Sequence, residues 1–133
     1  MSTKEASLCV VELDDRGEIH VADLDELSAL LERVAAEHPG DDAVLVDVTA
    51  GVWVLSIGVG RACSVVSATP RSGEPPYFVL KGEGDFEATH FYSFGAWTEF
   101  EATRVVACER AMRALIAFVT APDALPPEAW EEL

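Results

Sequence analysis

Three runs at residues 43–48, 52–59 and 62–68 are dense in Val, Ile and Trp, and small or turn-forming residues separate them. Branched and aromatic side chains lose rotamer freedom in a helix but pack well on a pleated surface, so this block predicts consecutive antiparallel strands. An all-helical fold is thereby excluded. On both sides of the block the apolar period changes to that of a helix. Upstream, Leu24, Leu27, Leu31 and Val34 recur three and four apart with Leu30 beside them. Asp23 stands ready to cap that helix, Glu26 occupies the capping-box position, and Pro39-Gly40 ends it. Downstream, Ala111, Leu115 and Phe118 give residues 107–119 one apolar side.

Further extended segments are expected at residues 6–13, 18–21, 77–80 and 89–94. Asp14-Asp15-Arg16-Gly17 forms the turn of a first hairpin, residues 70–76 a Pro-rich loop, and residues 81–85 a polar turn. Trp130 is expected to anchor the tail. The expected fold class is α+β: one mainly antiparallel sheet of about six strands, with two main helices on one face, in a single domain spanning residues 1–133.

Charge narrows the partners. The chain has 24 Asp plus Glu against 9 Lys plus Arg, a net charge of −15. Seven Arg and two Lys scattered over 133 residues supply no basic face for nucleic acid or for an anionic membrane, so neither is expected as a direct partner. A basic protein is the natural partner, although acidity also serves solubility alone. Cys9, Cys63 and Cys108 lie apart inside apolar stretches and read as reduced core residues of a cytoplasmic protein. The first residues lack the pattern of a secretory signal, and no apolar run approaches the ~20 residues of a membrane span.

Catalytic patterns are weak. Gly58-Val59-Gly60 begins a dinucleotide fingerprint, but Cys63 stands where the third glycine belongs and a strand follows instead of a helix, which leaves nothing to hold a pyrophosphate. His20, His38 and His90 lie at no metal-ligand spacing, and the serines within strands occupy no sharp strand-to-helix elbow. No catalytic residue, cofactor or metal is therefore expected, and the chain is not read as an enzyme.

The segment Thr89-His90-Phe91-Tyr92-Ser93-Phe94 is different, because aromatics fall on both alternating sides, with Phe91 on one and His90, Tyr92 and Phe94 on the other. A sheet with helices on one side needs a single apolar face. The second side is either covered by another stretch of this chain or forms the apolar centre of a partner site. Trp97 follows at once, next to acids at 99 and 101, in the arrangement a surface for a basic protein would use.

Taken in order, Ile57-Gly58-Val59-Gly60, Pro75-Pro76-Tyr77, Gly95-Ala96-Trp97-Thr98-Glu99-Phe100, a helix containing Ala111 and Phe118, Leu125-Pro126 and Trp130-Glu131-Glu132 resemble the first-numbered immunity-protein family of bacterial polymorphic toxin systems. The resemblance runs from about Leu24 to the C-terminus. It implies a small cytoplasmic α+β protein that binds and neutralises a cognate toxin made by the same cell, often a nucleic-acid-directed one of the deaminase class. Such a toxin must present a basic channel to phosphates, which an acidic inhibitor can occupy. The expected contact residues are Glu83, Asp85 and Glu87 before the aromatic strand, Tyr92, Trp97 and Glu99 in and beyond it, and Glu131 and Glu132 in the tail. Two alternatives stand beside this reading. One is a small-ligand binder or enzyme with a pocket between sheet and helix, served by His90, Tyr92 and Glu99. The other is an adaptor that loads a toxin for secretion. Self-association is left open.

Overall fold

A computed structural model describes residues 7–13, 17–122, 125, 128 and 130–133. The expected turn residues Asp14, Asp15 and Arg16, the start of the first strand at Ala6, the N-terminal residues 1–5 and Pro126 lie outside the described residues. In chain order the elements are β1 (Cys9–Glu12), β2 (Glu18–Val21), α1 (Leu24–Glu37), β3 (Val44–Ala50), β4 (Trp53–Val59), β5 (Cys63–Ser64), β6 (Val66–Pro70), β7 (Phe78–Leu80), β8 (Thr89–Ser93), β9 (Ala96–Phe100), β10 (Val106–Ala107), α2 (Cys108–Thr120) and β11 (Trp130–Glu132). Single 3₁₀ turns at Gly40–Asp42 and Ala102–Arg104 precede β3 and β10.

Nine strands form one sheet, where about six were expected. Its main path runs β11-β7-β6-β4-β3-β1-β2, and β5 and β10 pair separately as a two-stranded ladder. The additional strands have identifiable causes. Gly95 turns the chain with φ 87°, so residues 96–100 return as β9 alongside β8. Trp130 does anchor the tail, but as part of an edge strand whose three residues pair with Phe78, Val79 and Leu80. The single run expected at residues 62–68 is divided at Val65, so Cys63–Ser64 pairs with β10 and Val66–Pro70 with β4.

One face of the sheet is apolar throughout. Val44, Val46 and Val48 of β3, Leu55 and Ile57 of β4 and Ala68 of β6 share a core with Leu27, Leu30, Leu31 and Val34 of α1 and with Ala111, Ala114, Leu115 and Phe118 of α2. Burying each Val, Leu, Ile or Phe among them contributes roughly 1.5–3 kcal/mol, which is what holds the helices on that face. Leu24 was expected in the α1 stripe but is exposed at the first turn. The cap forms as read: Asp23 Oδ1 accepts from Glu26 N–H at 2.9 Å, and the Glu26 carboxylate reaches back to Ala22 N–H at 2.9 Å. Of the three cysteines expected in the core, only Cys9 is buried, and burial pushes its thiol up to about 11. Cys63, in the β5–β10 ladder, and Cys108, the first residue of α2, are half-buried.

Among the described residues, the opposite face carries its own buried cluster at one end. Phe91 of β8 is fully buried there with Leu45, Val65 and Val105, and Phe86 and Phe100 close over them. An added Cβ on Gly58 would stand 2.5 Å from the Phe91 ring, so the glycine of the rejected dinucleotide pattern serves as the seat of an aromatic side chain. The parallel pairing of Val44 with Tyr92 and the hydrogen bond from Tyr92 N–H to Ala43 C=O at 2.9 Å fix β8 beside the beginning of β3. The β8–β9 hairpin is thereby carried past the C-terminal end of α1.

Candidate functional site

Residues on β8 alternate. With Phe91 turned into the core, His90 and Tyr92 turn the other way and are half-buried. Cross-strand pairing places Trp97 opposite Tyr92 and Glu99 opposite His90. The Trp97 ring stacks on His90 at 3.7 Å between centroids and 13° between planes, and it meets Tyr92 edge-on at 6.1 Å. Tyr92 and His90 make a third edge contact at 5.7 Å. Trp97 remains 58% exposed even so, which leaves most of the indole available to a partner.

Arg61 holds the base of this cluster. Its Nε donates to the His90 carbonyl at 2.9 Å, and its Nη2 lies 3.1 Å from His90 Nδ1 and 3.5 Å from Asp41 Oδ1. His90 Nε2 in turn lies 3.1 Å from the Asp41 carbonyl. Arg61 Nη2 also lies 3.2 Å from His90 Nε2, so both ring nitrogens have partners. The imidazole thus has its partners inside the protein. The cluster is a positioned aromatic platform and contains no nucleophile-and-base pair.

The turn of the hairpin is strained. Phe94 has φ 49°, a left-handed conformation that suits Gly or Asn and costs a bulky residue of order 1–3 kcal/mol. It is also 50% exposed, so burial does not offset that cost. Below it lies a shallow depression of about 290 Å³ lined by Glu37, His38, Asp42, Val44, Tyr92 and Phe94, among others. The end of α1 is held against this region by the hydrogen bond from Gly40 N–H to Gly60 C=O at 2.9 Å, and Gly60 has no room for a side chain beside the His38 carbonyl. Asp41, Asp42 and Glu99 surround the aromatics as exposed carboxylates.

Of the residues expected at a partner surface, Tyr92, Trp97 and Glu99 come together on one side of the hairpin. Glu83 and Asp85 are exposed but border a different depression, with Phe86, Val105 and Arg110. Glu87 is exposed on the approach to β8. Glu131 and Glu132 are exposed on β11, with β7, β6, β4 and β3 between them and β8. Sequence reasoning missed Glu37, His38, Asp41, Asp42 and Arg61. Only the long-range β3–β8 pairing brings them to the hairpin, and no local periodicity signals it. The expected pocket between sheet and helix has a counterpart of about 280 Å³ between α1 and α2 over β4, lined by Leu31, Ala35, Ile57 and Met112 among others. His90, Tyr92 and Glu99 do not line it.

An α+β sheet carrying exposed aromatics beside acids offers the kinds of side chain that protein interfaces use. Residues 15–130 match the family described as Immunity protein Imm1, and the chain belongs to that family. It is an immunity protein, and its partner is a cognate toxin. No match is found among curated proteins. Among the described residues, no helix is long and apolar enough to cross a membrane.

Proposed function

We propose that this immunity protein neutralises a basic, nucleic-acid-directed toxin, a deaminase or nuclease, in the cytoplasm of the producing cell by occupying its substrate groove through the β8–β9 hairpin. The observation that carries the proposal is the exposed Trp97–His90 stack beside Phe94, flanked by Asp41, Asp42 and Glu99 on a chain of net charge −15. Large aromatics with few rotatable bonds lose little entropy on docking, and centrally placed ones supply most of an interface's energy. The surrounding carboxylates speed encounter with a surface built to attract phosphates. Inhibition of this kind is stoichiometric and needs no catalytic group.

The test is to mix the purified chain with the product of the adjacent open reading frame and to measure both binding and toxin activity. The expected result is a tight complex without toxin activity. Trp97→Ala, at an exposed position, is expected to keep the fold and weaken the complex by about 30-fold or more, as for a binding hot spot of about 2 kcal/mol. A complex that forms while the toxin stays active identifies a loading adaptor. Turnover or retention of a small molecule, with no protein complex, identifies the ligand-binding alternative.

A further inference from the structure

The depression beneath Phe94 has a chemistry of its own. Its walls are apolar and aromatic, from Val44, Tyr92 and Phe94, and the exposed Asp42 supplies a carboxylate at its rim. Among the described residues no Lys or Arg lines it. It opens at the C-terminal end of α1, where the helix dipole is negative and the last turn contains no basic residue. His38 Nε2, on the wall, is buried and has no hydrogen-bond partner among the described residues. The volume of about 290 Å³ corresponds to roughly ten waters, which is room for one long side chain.

We infer that this depression is a socket for a single arginine side chain of the toxin, an inference that deepens the proposed function and rests on it. A planar guanidinium stacks on the Tyr92 and Phe94 rings while its in-plane N–H groups reach the Asp42 carboxylate at the rim. An ammonium is more strongly hydrated and presents no plane to stack. The strained, exposed Phe94 then acts as a lid over the aliphatic stem, and the occupant replaces the cation missing from the last turn of α1. A toxin that binds nucleic acid displays arginines along its groove, so engaging one removes a substrate contact as well as anchoring the inhibitor.

The socket can be tested on the full chain without the toxin, by following ¹H–¹⁵N NMR spectra during titration with N-acetyl-arginine amide. Saturable shifts are expected at His38, Val44, Phe94 and Gly95 in the millimolar range, with none from the uncharged isostere N-acetyl-citrulline amide. Asp42→Asn and Phe94→Asn are each expected to weaken the arginine probe at least threefold while leaving spectra elsewhere unchanged. Equal shifts from the citrulline probe, or unsaturable shifts spread to Glu131 and Glu132, overturn the socket. Equally tight binding of N-acetyl-lysine amide overturns its selectivity for arginine. Toxin assays keep the two readings separate. A chain that takes up the probe but fails to neutralise the toxin retains the socket and loses the substrate-groove reading, whereas neutralisation by a chain that ignores the probe does the reverse.

Discussion

Gly58→Ala tests the packing that aims the hairpin. An ideal Cβ at Gly58 would lie 2.5, 2.6 and 2.9 Å from the Cζ, Cε1 and Cε2 atoms of Phe91. Carbon atoms rest at about 3.5–4.0 Å, so the ring must withdraw by about 1 Å. It has little freedom to do so, being fully buried among Leu45, Val65 and Val105, with Phe100 edge-on at 6.2 Å. Overpacking of this kind costs about 1–3 kcal/mol. The lower entropy of an unfolded chain with Ala in place of Gly offsets about 0.4–1 kcal/mol. A net loss of about 1–2 kcal/mol is expected, read from urea and thermal denaturation, with Tm falling about 3–5 °C for each kcal/mol in a chain of this size. Phe91→Leu shortens the obstructing ring, so Gly58→Ala/Phe91→Leu is expected to be at least about 1 kcal/mol more stable than the two single losses summed. A Gly58→Ala protein as stable as the parent, or a strictly additive cycle, refutes the seating of Phe91 on Gly58. A further expectation is weaker toxin binding by Gly58→Ala, because His90 and Tyr92 flank the displaced ring.

Phe94→Asn relieves the left-handed turn, and a rise in stability of about 1 kcal/mol by urea denaturation is expected together with weaker toxin binding; loss of stability contradicts the strain argument. Burial raises the pKa of Asp47 above its ordinary 3.8, and the Ser56 hydroxyl at 2.5 Å offsets part of the rise. The folded state therefore holds this proton more tightly than the unfolded chain, and the residue's contribution to stability falls as pH rises from 3.8 through the raised value. Asp47→Asn is expected to be more stable than the parent at pH 7, and the difference should close below that window when urea midpoints are compared across pH. Raising salt from about 50 to 500 mM is expected to slow toxin association by about tenfold or more in stopped-flow mixing, and an unchanged on-rate rejects electrostatic steering.

The extended block, both helices and the Asp23 cap were legible because each is written in local period or in residues three apart. Three departures had physical reasons. Residues 96–100 carry strand-forming aromatics, but Phe94 occupies a turn position where Asn or Gly would have announced a hairpin. Residues 130–132 are too few to read as a strand and acquire one only by pairing with β7. Leu24 fits the helical stripe but is the first residue of α1, where its side chain stays exposed. At the site, the alternation of residues 90–94 showed that aromatics must face two ways, and the fold resolves it with Phe91 inside and Tyr92 and Trp97 outside. The acids at positions 37, 41 and 42 were invisible, since about fifty residues of chain lie between them and the hairpin they adjoin.

The attachment of β8 has an evolutionary corollary. The β3 register pair, the Phe91 cluster on Gly58 and the Arg61 bonds to His90 all hold the base of the hairpin, while of its residues only Tyr92 packs against the helical core. Such a cantilever separates two design problems. Mutation can rewrite residues 94–99 to follow a changing adversary, and the scaffold behind them need not be reinvented each time.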